Sequence, residues 1–187
     1  MSDLPMHEGH AVAPLSRASI KKTAQHARKV LGLPDGRIDT PRFLDDLTSF
    51  GIYYDVLDRS SDMMPAGVEA CYVPEERTLY IRDTIYDAMC RCDPRAQFTI
   101  GHELGHAILA HRRTYNRQVG AIPVYCNSEW QANTFAAEFV MPVDEINRRV
   151  LHAPQAIASH FGVSISAAKN RLSFLEKNRE IKKPLVL

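Results

Sequence analysis

The sequence predicts an α+β fold, and three observations carry that prediction. Two segments of helical periodicity come first, three short β-branched or aromatic runs follow between residues 52 and 82, and helical patterns fill much of the remainder. Strands grouped together, instead of alternating with helices, point to α+β and not to a parallel α/β sheet. No internal repeat or low-complexity tract competes with this reading.

With 187 residues, 45% of them hydrophobic, the chain is long enough for one domain with an ordinary buried core. Residues 1–15 hold Pro, Gly, Met and His without periodicity, which predicts a mobile leader whose His7 and His10 are solvated. Residues 16–150 form the expected core. In it Ile20, Ala24, Ala27 and Leu31 recur at helical spacing before Gly32, and Thr40-Pro41 reads as a cap and first turn ahead of Phe43, Leu44, Leu47 and Phe50. Strands are expected from Ile52 to Leu57, Gly67 to Val73 and Thr78 to Arg82, with residues 74–77 closing the last two into a hairpin. Asp93-Pro94 then opens a helix running to about His111. Gly105 inside that helix costs about 1 kcal/mol relative to alanine, which implies that another backbone packs close. Residues 151–187 are expected to be a helical extension of the same domain.

The chemistry lies in Gly101-His102-Glu103-Leu104-Gly105-His106. A helix turns roughly 100° per residue, so side chains four apart share a face, and His102 and His106 can close on one metal ion. Glu103 lies about 100° around from His102, beside the metal, where it suits a base acting on metal-bound water. A catalytic zinc takes three protein ligands and leaves one position for water, so a further donor is needed. His111, about 140° around the helix from His106, reads as a surface residue. Glu129 opens a second helical run to Met141-Pro142, and along its stripe Glu129 and Asn133 pass into Ala136 and Val140. Glu129 is therefore the expected third ligand, and Asn133, one turn on, the partner for the outer nitrogen of a ligating histidine. Glu138 is about 180° away from Glu129 and cannot share the site.

Phe98-Thr99, the HELGH segment, Glu129, Ala132-Asn133, Phe135 to Glu138 and Met141-Pro142 together resemble the ImmA/IrrE family of metallopeptidases, over roughly residues 20–180. The resemblance implies a zincin-like fold, zinc held by His102, His106 and Glu129, and Glu103 as catalytic base. It also implies a helix-turn-helix repressor or antitoxin as the protein substrate. Many members carry a histidine directly after the residues matching Ala107 to Leu109; here Ala110 intervenes before His111. No motif marks a residue that would steady the tetrahedral intermediate, and ordinary roles suit the candidates Tyr125 and His152.

A second class of function competes. Residues 157–172 fit a helix-turn-helix, with Ala158 at the crossing, Gly162 at the turn and Ser164 starting the second helix. Lys169, Asn170 and Arg171 have the chemistry to contact DNA, so a non-proteolytic regulatory module binding DNA or a repressor is the alternative. Packing or protein contact is the favoured role of this segment, because the formal net charge is only +1. The basic end is local: residues 169–187 hold Lys169, Arg171, Lys177, Arg179, Lys182 and Lys183 against Glu176 and Glu180, a net of +4.

The cysteines at 71, 90, 92 and 126 form no CxxC pair and read as free thiols, with Cys90-x-Cys92 weak as a second metal site. No apolar stretch nears the 18 or so residues of a membrane span, and no basic-then-apolar segment starts the chain. A cytoplasmic protein without membrane partners is expected.

Overall fold

The computed structural model describes residues 9–111 and 121–181; His7, Lys182 and Lys183 lie outside them. Helix α1 (Arg17–Val30) begins at Ser16, whose hydroxyl accepts from the Ser19 amide, and buries Ile20, Ala24 and Ala27 along one stripe. Gly32, at φ 61°, ends it as the sequence predicts. Its Arg28 is buried and donates to the carbonyls of Phe139 and Pro34, which ties α1 to the far end of α5. Helix α2 (Thr40–Leu47) starts one residue earlier than Thr40-Pro41 suggested: Asp39 is the capping position and Pro41 sits in the first turn.

Strands β1 (Tyr53–Leu57), β2 (Ala70–Val73) and β3 (Thr78–Arg82) make one sheet in the order β1-β3-β2. β2 and β3 form the expected antiparallel hairpin, and β1 runs parallel to β3 with Tyr53 opposite Thr78. The predicted start of β2 at Gly67 comes three residues too early, since Gly67 turns at φ 81° and pairing begins at Ala70. Between β1 and β2 the chain crosses without regular structure, and the buried Arg82 guanidinium gathers it by donating to the carbonyls of Asp58, Ser61 and Met64 at 2.8–2.9 Å.

Helix α3 (Asp83–Cys90) follows β3 directly and was not anticipated; it buries Ile85 and Met89, one turn apart. Then come α4 (Pro94–Ile108), α5 (Ser128–Val140) and the short α6 (Val143–Arg148). The Asp93 side chain caps α4 by accepting from the Arg95 amide, and Asn127 caps α5 by accepting from that of Trp130. The two helices pack backbone to backbone. A Cβ on Gly105 would stand 3.1 Å from Ala132 Cα and 3.2 Å from its carbonyl oxygen, so glycine there is a condition of the helix spacing. Phe135 and Phe139 stack at 5.5 Å in the core, with Phe43 edge-on to Phe139.

The C-terminal pair α7 (Pro154–Phe161) and α8 (Ile165–Lys177) has the shape predicted for residues 157–172. Gly162 turns at φ 68°, Ser164 caps α8 through the Ala167 amide, and Ile157, Ala168, Leu172 and Leu175 are buried. The fold is thus α+β, a small three-stranded sheet beside the α4 helix among many helices.

One expectation fails at the N-terminus. Residues 9–15 are held on the body of the protein: Ala11 bridges to Asn127, the Val12 amide donates to Cys126 O at 2.8 Å, and that of Leu15 to Tyr125 O at 3.0 Å. His10 is not solvated either, since its Nδ1 lies 3.2 Å from Ser128 Oγ and its Nε2 is buried. Main-chain pairing, which side-chain composition does not announce, is what holds this segment.

Candidate metal centre

α4 and α5 bring three of the predicted residues together. His102 Nε2 and His106 Nε2 stand 3.1 Å apart, with Glu129 Oε2 3.1 Å from the first and Glu129 Oε1 3.4 Å from the second. In a tetrahedral zinc site with bonds near 2.0–2.1 Å, neighbouring donor atoms are about 3.3 Å apart, so these side chains already have the separations of a first coordination sphere. The outer nitrogen of His102 is occupied. Its Nδ1 lies 3.1 Å from Asn133 Oδ1, and since an amide oxygen only accepts, the ring proton is on Nδ1 and the Nε2 lone pair faces His106. Two imidazoles and a carboxylate converging in this way fit a divalent cation. Among the described residues no other group of three or more His, Cys, Asp or Glu side chains does so.

Glu103 is set differently. Its Oε2 accepts from the Tyr72 amide on edge strand β2 at 2.9 Å, and its Oε1 stays 4.0 Å from His102 Nε2. The sheet therefore holds this carboxylate at the side of the donor cluster, outside the ligand distance. Burial, above all, raises its pKa from 4.5 to about 7, against the opposing pull of His102 and the Tyr72 amide. The two imidazoles move apart. Burial pushes His102 down, but the Glu129 hydrogen bond and the Glu103 and Glu129 charges carry it above the ordinary histidine value. Burial and then the charge of His102 press His106 down to about 3.

The remaining candidates sort clearly. His111 is not a surface residue: it is 4% exposed, its Nδ1 is 2.9 Å from His106 Nδ1 and its Nε2 2.9 Å from Gln131 Oε1. The prediction assumed a helix continuing to residue 111, whereas α4 ends at Ile108 and Ala110 takes a left-handed φ of 54°, folding His111 back beneath His106. Gln131, fully buried in α5, escaped sequence reasoning altogether. Glu138 is remote from the cluster, 2.8 Å from Arg171 in a pair that is almost wholly buried. Arg171 also donates to Met141 O, so it is not available to DNA, while Lys169 and Asn170 are exposed. Tyr125 is exposed, and His152 Nε2 is buried without a partner among the described residues. None of the four cysteines forms a disulfide among the described residues, and Cys90 and Cys92 are exposed. No described helix is long and apolar enough to cross a membrane.

A groove of about 720 Å³ opens beside Glu129 and Asn133. Phe98, Val124, Trp130 and Ala137 line it, and Ala167 and Phe174 of α8 form part of its wall.

A family model described as Peptidase M78, the IrrE N-terminal-like domain, matches residues 76–173, just over half of the chain and all of α4 and α5. The chain belongs to the IrrE N-terminal-like family. That is a metallopeptidase-type domain, in line with the resemblance carried by the HELGH segment and the Glu129 helix, and its members are typically metal-dependent. Among solved structures, a Mycobacterium tuberculosis transcriptional regulator is similar, with 19% identity and a TM-score of 0.55. The alignment covers 88% of this chain and 50% of that one, so this IrrE-like chain spans half the length of the regulator. At that identity the likeness speaks to the fold. No curated protein matches the chain.

Proposed function

We propose that the protein is a zinc-dependent endopeptidase that cleaves a helix-turn-helix repressor or antitoxin. The reading rests on one observation above the others: two imidazole nitrogens and a carboxylate face one another at first-sphere distances, while a separate, desolvated carboxylate stands beside them. His102, His106 and Glu129 would hold the metal, with Asn133 orienting His102. Zinc in such a site supplies Lewis-acid polarisation of a carbonyl and acidifies water. Glu103, with a pKa near 7, is matched to take a proton from the attacking water and deliver it to the amine leaving the scissile peptide bond. The Tyr72 amide keeps that carboxylate aimed while it changes protonation.

The apolar groove beside Glu129 suits a protein substrate that offers large hydrophobic side chains, and α8 is part of its wall. This gives the C-terminal helices a role in substrate contact. A purely DNA-reading role is less well supported, because Arg171 is committed to Glu138 and Met141. The shared fold of the M. tuberculosis transcriptional regulator fits a repressor-related setting.

The test is direct. Purified protein loaded with zinc is incubated with candidate helix-turn-helix repressors from the same source, with and without chelator, and the products are read by mass spectrometry. Cleavage should vanish with chelator, and Glu103→Gln should lower it by about 10²–10⁴-fold while zinc stays bound. Cleavage that survives Glu103→Gln at the wild-type rate removes the mechanism.

A further inference from the structure

The proton positions around His106 follow from a chain of contacts that starts outside the cluster. Gln131 Nε2 donates to Ala13 O and to Tyr125 O, each at 2.8 Å, which uses both amide hydrogens. Its Oε1 therefore faces His111 Nε2, and because an oxygen there accepts, Nε2 of His111 carries the ring proton. Neutral His111 then presents a lone pair at Nδ1, 2.9 Å from His106 Nδ1. One hydrogen must lie between those two nitrogens, and it belongs to His106. That leaves His106 Nε2 with its lone pair turned to His102 and Glu129. A second proton on His111 would oppose donor to donor and force the His106 proton onto Nε2, into the donor cluster.

We propose that His111 and Gln131 are positioning residues that fix His106 in the tautomer able to ligate through Nε2, with the main chain of residue 13 as the anchor of the relay. The inference rests on the metal-site reading above and extends it from the ligands to the groups that prepare them. The two histidines are prepared by different devices. The outer nitrogen of His102 has one exposed partner, Asn133, whereas that of His106 has a relay drawing on four segments: residues 9–15, the turn at Tyr125, α5 and the turn that follows α4. A ring buried against a fixed acceptor cannot flip between tautomers, so the site is spared that reorganisation when the metal arrives.

Zinc affinity, measured by competition with a chromophoric chelator on the full chain, tests this. His111→Phe keeps a ring of similar size but offers no acceptor, and it should weaken zinc binding by about 10–100-fold. His111→Gln, which restores an acceptor oxygen, should recover most of that loss. Affinity unchanged in His111→Phe, or a loss that His111→Gln does not relieve, overturns the proposal. Should either variant fail to fold, ¹⁵N-resolved NMR of the wild-type imidazoles decides alone: protons on His106 Nδ1 and His111 Nε2 are expected, and a proton on His111 Nδ1 refutes the relay. If the wild type binds no zinc, the metal-site reading fails, and the tautomers of the metal-free protein still report on the relay separately.

Discussion

Helix α5 carries two carboxylates, Glu129 near its start and Glu138 near its end, and the molecule treats them in opposite ways. Nine residues place them about half a turn out of phase, so one faces α4 and the other the C-terminal helices. Glu138 is sealed against the Arg171 guanidinium at 2.8 Å, with the Val143 amide also directed at it, and the pair is neutral and closed. Glu129 is a quarter exposed, and its two carboxylate oxygens lie 3.1 Å from His102 Nε2 and 3.4 Å from His106 Nε2. The first carboxylate completes the fold, and the second belongs to the donor set proposed to hold a metal. A buried charge with its partner in place is structural, whereas two imidazoles and a carboxylate at first-sphere separations suit a cation.

Substitutions at four positions test that contrast. The largest effect belongs to the closed pair: Glu138→Ala strands Arg171 in the interior and should cost about 3–5 kcal/mol in chemical denaturation, leaving zinc affinity within a few-fold of wild type. The next separates Glu103 from both. Its carboxyl has a pKa of 4.5 when unfolded and about 7 when folded without metal, so it favours folding at acidic pH. That contribution is complete below pH 4.5 and is lost as the pH climbs through about 7, roughly 3 kcal/mol in all. Denaturation of the metal-free protein across pH 4–8 should therefore show the stability of wild type falling relative to Glu103→Gln. Parallel curves would mean that the site is wetter than its geometry implies.

Glu129→Ala should produce the reverse pattern to Glu138→Ala. If His102, His106 and Glu129 hold zinc as proposed, loss of Glu129 should lower zinc affinity by on the order of a hundredfold. The melting of the metal-free protein should move by less than about 1 kcal/mol, as expected for a partly exposed ion pair. Equal losses of stability in the two variants would erase the distinction between them. The smallest effect is Gly105→Ala, where the helix-propensity gain of about 1 kcal/mol meets a contact of 3.1 Å with the Ala132 backbone. A net destabilisation of about 1–2 kcal/mol is expected from thermal melts, because neither main chain can give way.

Sequence periodicity made the frame of the molecule readable. The i, i+4 pair His102 and His106, the Glu129 stripe and the glycine at 105 all express spacing along a single helix, and spacing along a helix is what a sequence displays. The hairpin at residues 74–77 and the turn at Gly162 were legible for a similar reason, since local turn chemistry announces them. What escaped depended on contacts between segments far apart in the chain. His111 was misplaced because nothing in Ala107 to Ala110 signals that α4 stops at Ile108. Arg171 looked like a DNA contact because its partner, Glu138, lies 33 positions away. The N-terminal strap was invisible because main-chain hydrogen bonds to residues 125–127 leave no mark on composition. Sequence reasoning thus reached the three side chains that the fold brings together, while the contacts around His106 emerged only from the fold.

The crossover from β1 to β2 has its own lesson. A stretch with no helix or strand would ordinarily fluctuate on its own, opening to solvent many times for each opening of the sheet. Here three of its carbonyls terminate on a single guanidinium rooted in the central strand. Its excursions must first strip carbonyl partners from a buried charged group, so this irregular segment should breathe in step with the sheet instead of as an independent flap.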